Sequence, residues 1–454
     1  MMGSAVAIAA AVRSGTASAH DVAQATLDRI MAHDPAVHAF TAVLHGRAMA
    51  DAARVDAQIA AGQDPGPLAG VPFAVKNLFD VAGLTTVAGS RILMDNPPAA
   101  TDAFAVRRLC DSGAVLVGAL NMEEFAYGFM TDNAHHGRTT NPHDPARTAG
   151  GSSGGSGAAV AAGLVPLALG SDTNGSIRVP SAFCGVYGFK PTYGRLSRGG
   201  IVPFVPSFDH VGPLAGTVGD IAAGFDAMQG HDPADPVACG RDPEFATPLL
   251  PRGLEGLRIA IAGGYFEAGM TEPPARALAA AAAAIGVTRR VTIPAPDAAR
   301  AAAYVITSVE GTSLQLANLR MRPQDFDPAT RDRFLAGALL PAEWYVRAQR
   351  FRAWFREAMR AVFRDVDLIL APTVPFEAPR FTDNTLHVAG RDVPVRATIG
   401  RFTQPLSLIG LPILAVPVRL PGCLPVGIQV IGAPFNEAAV LRVGQVLEAA
   451  GLNG

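Results

Sequence analysis

"TAGGSSGGSGAAVAAG", residues 148–163, holds eight consecutive Gly and Ser residues, Gly150 to Gly157, in the composition of a flexible linker. A linker, however, is flanked by polar sequence. This one runs into the apolar "AAVAAGLVPLALG", and a second such stretch, "GSDTNGSIRVPSAFCG", opens at Gly170. A phosphate loop needs a Lys after its second conserved Gly, and none is present. A dinucleotide-binding GxGxxG fails too, because no strand immediately precedes the glycines. What remains is a tight turn, with Ser152 or Ser153 capping a short helix from Ser156 to Ala162 that Gly163 ends. Glycines on both sides let backbone crowd against the serines, which builds a site rather than a hinge.

Around this centre the chain alternates. "VPFAV" (Val71–Val75), Val115–Val117, "LVPLALG", "RIAIA", Leu368–Ala371, "LPILAVPV" and "VGIQVIG" read as short buried strands. Amphipathic helices fall between them, among them "TASAHDVAQATLDRIMAHD" with Ser18 as N-cap and the long run after Pro341. The expectation is an α/β fold with a largely buried sheet. Residues 301–340, with "LRMRPQDFDPATRDRF", fit the rhythm worst and are expected to form an inserted helical lobe over one domain spanning 1–454.

The whole-chain properties exclude several functions. A formal charge of −2 gives no electrostatic reason for a nucleic-acid or anionic-membrane partner. The longest apolar runs fall short of the roughly 20 residues a membrane span needs. No Lys or Arg precedes the first of them, so it reads as the first helix of a cytoplasmic protein rather than a signal peptide. Four scattered cysteines without CxxC spacing read as reduced thiols, and the histidines lack any HxxxH or HxH pair, so no metal site is expected.

The second Gly/Ser stretch carries the chemistry. "LVPLALG" reads as a strand, "SDTNG" as a turn and "SIRVPSAFCG" as a short helix, which sets Ser176 at a strand-to-helix junction. Free backbone N–H groups there favour a developing negative charge. Ser176, with the N–H groups of Thr173, Asn174, Gly175 and Ser176 itself curled about it, is placed as a nucleophile beside an oxyanion hole. No GxSxG elbow is present and no His is placed to serve as its base. Lys76, following the apolar "VPFAV", is a candidate: burial lowers a lysine pKa from about 10.4 by up to 3–5 units.

Together, "GGSSGGSGAAVAAG", "GSDTNGSIRVPSAFCGVYGFKPT" and Lys76 resemble the amidase signature family over nearly the whole chain, Ser176 following Ser152 by 24 positions. The resemblance implies a large mixed β-sheet covered by helices on both faces. It also implies amide hydrolysis through an acyl-enzyme without cofactor. In it Ser176 is the nucleophile, Ser152 a bridging serine after a cis Gly151–Ser152 peptide, and Lys76 the base. Asp172 and Arg178 become a supporting ion pair, and Ser153 supports Ser152. Phrases such as "AVKNLFDVAGLTTVAGS" and "NMEEFAYGF" are similar to the branch acting on carboxybiuret, which implies a small anionic urea-type amide as substrate. Tyr127, His136, Arg320 and Arg322 are the expected substrate-binding residues, one arginine clamping a carboxylate. Other branches stay open: the glutaminase-type subunits of tRNA-dependent amidotransferases, allophanate hydrolases, general amidases, or a silent scaffold protein. The resemblance further implies a small helical partner subunit, with a homodimer or heterotetramer as the assembly.

Overall fold

The computed structural model describes residues 3–453 and is organised by one mixed sheet of eleven strands. Their order across the sheet is Phe40–Val43, Val115–Leu120, Pro72–Lys76, Leu167–Asp172, His210–Ala215, Tyr187–Lys190, Ile413–Val418, Val426–Gly432, Leu368–Pro372, Ile259–Ala262 and Arg290–Val291. Pro72–Lys76 runs parallel to both of its neighbours, whereas Leu167–Asp172 pairs antiparallel with His210–Ala215.

Side chains alternate across a strand, so a sheet buried on both faces divides its apolar residues between two cores. Phe73, Val75, Leu116, Leu167 and Leu169 enter one core, and Ala74, Val115, Val117 and Ala168 the other. Helices Ala19–Val37, His45–Ala60 and Gly154–Ala161 close the second core, largely with alanines. Phe104–Asp111 and Val218–Met228 close part of the first, through Val106, Leu109, Ile221 and Phe225. The fold is therefore the helix-covered mixed sheet that the sequence resemblance implies.

Along with the short hairpins outside it, three strands of the central sheet escaped the sequence reading: Phe40–Val43, Tyr187–Lys190 and His210–Ala215. The last is "HVGPLA", where Gly212 and Pro213 argue against a central strand. It is nonetheless fully buried, antiparallel to Leu167–Asp172. Residues 301–340 fall within helix Pro296–Met321, a turn at Pro323–Asp325 and helix Pro328–Ala338. Each of these helices opens with a proline, where the missing N–H costs nothing.

Candidate active site

Lys76 is the last residue of its strand and is fully buried. Its Nζ donates to Ser152 Oγ at 2.6 Å and to Ser171 Oγ at 2.9 Å. Burial pushes the ammonium down to about 7, against the pull of Asp209, Asp172 and Glu123. A substantial neutral fraction near neutral pH is the consequence. Ser171 comes from the neighbouring parallel strand, whose register sets Val75 opposite Leu169, so the two strand ends deliver amine and hydroxyl side by side. The sequence reading placed Ser171 in a turn and missed this contact.

Ser152 follows a cis Gly151–Ser152 peptide and is fully buried. The glycines beside it have neighbours too close for any larger residue. A Cβ on Gly151 would lie 2.8 Å from the backbone of Phe129 and Met130, and one on Gly155 would lie 2.6 Å from Asn121 and Ala39 backbone atoms. The helix that follows spans Gly154–Ala161, and neither Ser152 nor Ser153 caps it with a side chain. Ser153 Oγ instead donates to the Ser171 carbonyl at 3.2 Å and accepts the Ser171 N–H at 3.3 Å. Ser153 N–H donates to the Ser176 carbonyl at 3.2 Å, which ties the two Gly/Ser stretches together.

Ser176 lies between the strand ending at Asp172 and the helix Arg178–Cys184, two residues before that helix rather than at its first turn. Its loop is folded around a buried carboxylate. Asp172 accepts the Gly175 N–H at 2.7 Å and the Ile177 N–H at 3.1 Å, and both oxygens take bonds from the Arg178 guanidinium at 2.9 Å. Arg178 also donates to Gln429 Oε1 and Ser407 Oγ, each at 2.7 Å. A buried ion pair is tolerable only when its remaining polar atoms are satisfied, as here. Burial would raise the Asp172 carboxyl, but the Arg178 guanidinium holds it well below the usual carboxylate range. The four residues expected to supply oxyanion donors differ in how their N–H groups are engaged. The Gly175 N–H is committed to Asp172, so Thr173, Asn174 and Ser176 are the residues whose N–H groups this carboxylate leaves alone. Gly175 itself sits at φ +136°, and a Cβ there would collide with Thr403 Oγ1.

Thr173, Asn174 and Ser176 form one side of a cavity of about 640 Å³. Thr173 Oγ1 donates to buried Asp209 at 2.6 Å, and Asn174 Nδ2 to Thr307 Oγ1 at 2.7 Å. Tyr127 lines the cavity, its hydroxyl 3.2 Å from Ser308 Oγ. Neither Arg320 nor Arg322 does: Arg320 is exposed, and Arg322 pairs with Asp325 at 2.7 Å and Asp95 at 3.0 Å. Spacing in sequence is not convergence in space: Arg320 lies in the last turn of helix Pro296–Met321 and Arg322 is its C-cap residue, whereas Arg300, Tyr304 and Thr307 of the same helix line the cavity. The cavity's cations are instead Arg300, Arg333 and Arg396, from three separate elements. His136 is also absent from its wall; its N–H donates to Asn133 Oδ1, and its Nε2 is buried without a partner. Among the described residues no group of three or more His, Cys, Asp or Glu is placed to hold a metal ion, and no helix is long and apolar enough to cross a membrane.

A buried amine, two hydroxyls on it and a cavity lined by Ser176 thus lie at the ends of neighbouring elements, and comparison with known proteins gives the class to which the arrangement belongs. The Amidase family model matches residues 21–441, and the chain belongs to that family of amide-hydrolysing enzymes. It is 50% identical over 450 residues to the AtzE component of 1-carboxybiuret hydrolase from Pseudomonas sp. (strain ADP), covering 98% of each chain. It is 39% identical over 474 residues to a glutamyl-tRNA(Gln) amidotransferase subunit of Chloroflexus aurantiacus (strain ATCC 29366 / DSM 635 / J-10-fl), covering 97% of this chain and 94% of the relative. A solved structure described as "An unexpected vestigial protein complex reveals the evolutionary origins of an s-triazine catabolic enzyme" superposes with TM-score 0.98 at 49% identity, covering 99% of each chain.

Proposed function

We propose that this amidase cleaves a small anionic urea-type amide, with 1-carboxybiuret the best candidate, through an acyl-enzyme on Ser176. The observation that carries the mechanism is the 2.6 Å contact between buried Lys76 and Ser152. Neutral Lys76 takes the Ser152 hydroxyl proton as Ser152 takes that of Ser176. Ser176 Oγ bonds the carbonyl carbon, and the oxyanion is met by N–H groups of the Thr173–Ser176 turn. The C–N bond then breaks, and ammonia leaves with the proton returned from Lys76 through Ser152. Water repeats the relay on the ester and releases the acid, restoring all three side chains.

Substrate choice rests on the cavity wall and on the likeness to the carboxybiuret enzyme. A small polar substrate offers little apolar area, so charge-assisted hydrogen bonds must hold it. Arg396 already faces Asp132 at 3.2 Å and Glu123 at 3.6 Å. Arg333, whose NH1 donates to the Tyr127 carbonyl at 2.8 Å, and Arg300 are the better carboxylate clamps. A small helical partner is part of the same reading. Relatives are named as subunits, and exposed Met321, Leu339, Trp344 and Trp354 offer apolar surface on adjoining helices. Co-purification from the host should yield a small companion protein, and a fully active monomer would refute that part.

The test is ammonia release from 1-carboxybiuret against a neutral aliphatic amide and glutamine. Ser176→Ala should lose about 10³-fold or more in kcat, the scale of removing a nucleophile. Substantial turnover by Ser176→Ala sinks the mechanism, and a wild-type preference for the neutral amide or glutamine sinks the substrate.

A further inference from the structure

Beside the first cavity lies a second, of about 560 Å³, whose wall carries Arg300, Arg391 and Arg401 and, among the described residues, no Asp or Glu. The two cavities share Arg300, Pro394 and Ala397. Guanidinium groups stay charged at any pH a protein survives, so three of them facing one space repel unless something anionic stands between them.

Arg401 shows that the arrangement is built. Its guanidinium is stacked on Tyr265, 4.2 Å from the ring centroid, with Phe402 at 5.7 Å. Those rings fix the plane of the group but accept no N–H bond, and Arg401 Nε is buried without a hydrogen-bond partner. Space for it depends on Gly269 at φ +72°, where a Cβ would lie 2.9 Å from Nε and 3.0 Å from Cζ. A buried charged donor left unpaired is costly, and an anion entering the cavity that Arg401 lines would stabilise its guanidinium. Arg300 is held from the other side, its Nε donating to Gln404 Oε1 at 2.8 Å and its NH2 to the Ala397 carbonyl. Arg391 belongs to the exposed hairpin formed by Thr385–Val388 and Arg391–Pro394 and completes the cationic rim. Small residues, Gly269, Ala389 and Ala397, leave the volume between them empty.

We propose that this second cavity is a binding site for a small polyvalent oxyanion, a dicarboxylate or a phosphate-bearing molecule, held by Arg300, Arg391 and Arg401. Planar guanidinium forks suit carboxylate and phosphate oxygens equally, so the shared chemistry is the oxyanion itself. Ser176 does not line this cavity, and Arg300 is the one cation it shares with the cavity proposed for the amide substrate.

Calorimetric titration of the full-length protein with malonate and, separately, with inorganic phosphate, at low and constant chloride, tests it. Saturable binding of at least one probe is expected. Arg391→Ala and Arg401→Gln should each weaken it tenfold or more, while Arg333→Ala, which touches only the first cavity, should change it less than twofold. The preferred probe tells a dicarboxylate site from a phosphate site. Should Arg401→Gln unfold on losing its stacking, Arg391→Ala on the exposed hairpin decides alone. Absence of saturable binding of either probe overturns the proposal. So does wild-type affinity in Arg391→Ala, or a loss confined to Arg333→Ala.

Discussion

Lys76 and Lys190 each end a strand of the central sheet, each is fully buried, and burial pushes each down to about 7. Their neighbours differ. Lys76 faces the hydroxyls of Ser152 and Ser171. Lys190 faces the carbonyls of Pro191 and Leu411 and the ring of His210, 3.2 Å from its Nε2. His210 Nδ1 lies against the Asp172 and Phe208 carbonyls, so it carries the proton and leaves Nε2 as an acceptor. Lys190 is thus surrounded by acceptors, with no hydroxyl among them to relay a proton onward. A hydroxyl both donates and accepts, so the Lys76 site can pass a proton in either direction. Burial alone makes a lysine titrate near neutrality; the hydroxyls make that titration useful.

The widest separation between the two should come from substitution. Lys76→Ala and Lys76→Arg are expected to lower kcat by about 10³-fold or more, since Arg cannot deprotonate. Lys190→Met should keep kcat within about tenfold while lowering Tm, because it strands the carbonyls of Pro191 and Leu411. Steady-state rates beside thermal melts check both, and an active Lys76→Arg enzyme would erase the contrast.

Next in size is the cavity wall. Arg333→Ala should reduce kcat/KM for the carboxylated substrate by about 10- to 100-fold, the scale of one charged hydrogen bond of about 1.5–3 kcal/mol, and reduce it much less for a neutral amide. Arg320→Ala, exposed, should stay within about twofold on both. Equal losses for the two amides would remove Arg333 from recognition.

The pH dependence is gentler. Neutral Lys76 is the active form, so kcat/KM should fall about tenfold per unit as pH drops below about 7 and level off above it. Lys190→Met should keep that inflection. Stability behaves otherwise. Between about 7 and the ordinary lysine value of 10.5 the unfolded chain binds more protons than the folded one at both lysines, so unfolding free energy rises with pH there. Lys190→Met should flatten this slope without moving the rate profile, measured by denaturant titration at several pH values; an unchanged slope would place Lys190 outside the titration.

Much of this was legible in sequence where the signal was local. The run Ile413–Val418 is continuous and apolar, Val426–Gly432 is apolar but for Gln429, and Ser18 caps its helix, accepting the Asp21 N–H. The stretches holding Lys76, Ser152 and Ser176 stood out because lysine after an apolar strand and glycines before an apolar helix are each unusual. Strand His210–Ala215 was hidden by Gly212 and Pro213, whose backbone preferences oppose a pairing that tertiary packing imposes. The cavity arginines were hidden for another reason. Arg300, Arg333 and Arg396 are far apart along the chain, and they meet only because helices Pro296–Met321, Pro328–Ala338 and Val395–Thr398 border one cavity.

The glycine-rich stretch carries one more consequence. Backbone atoms of Phe129, Met130, Asn121 and Ala39 stand where side chains on Gly151 and Gly155 would be. A segment with the composition of a tether is therefore wedged between layers that leave it no room to swing. Its amides should be among the slowest of the chain to exchange with deuterium, and proteases that cut at flexible Gly/Ser sequence should leave it whole until the sheet itself opens.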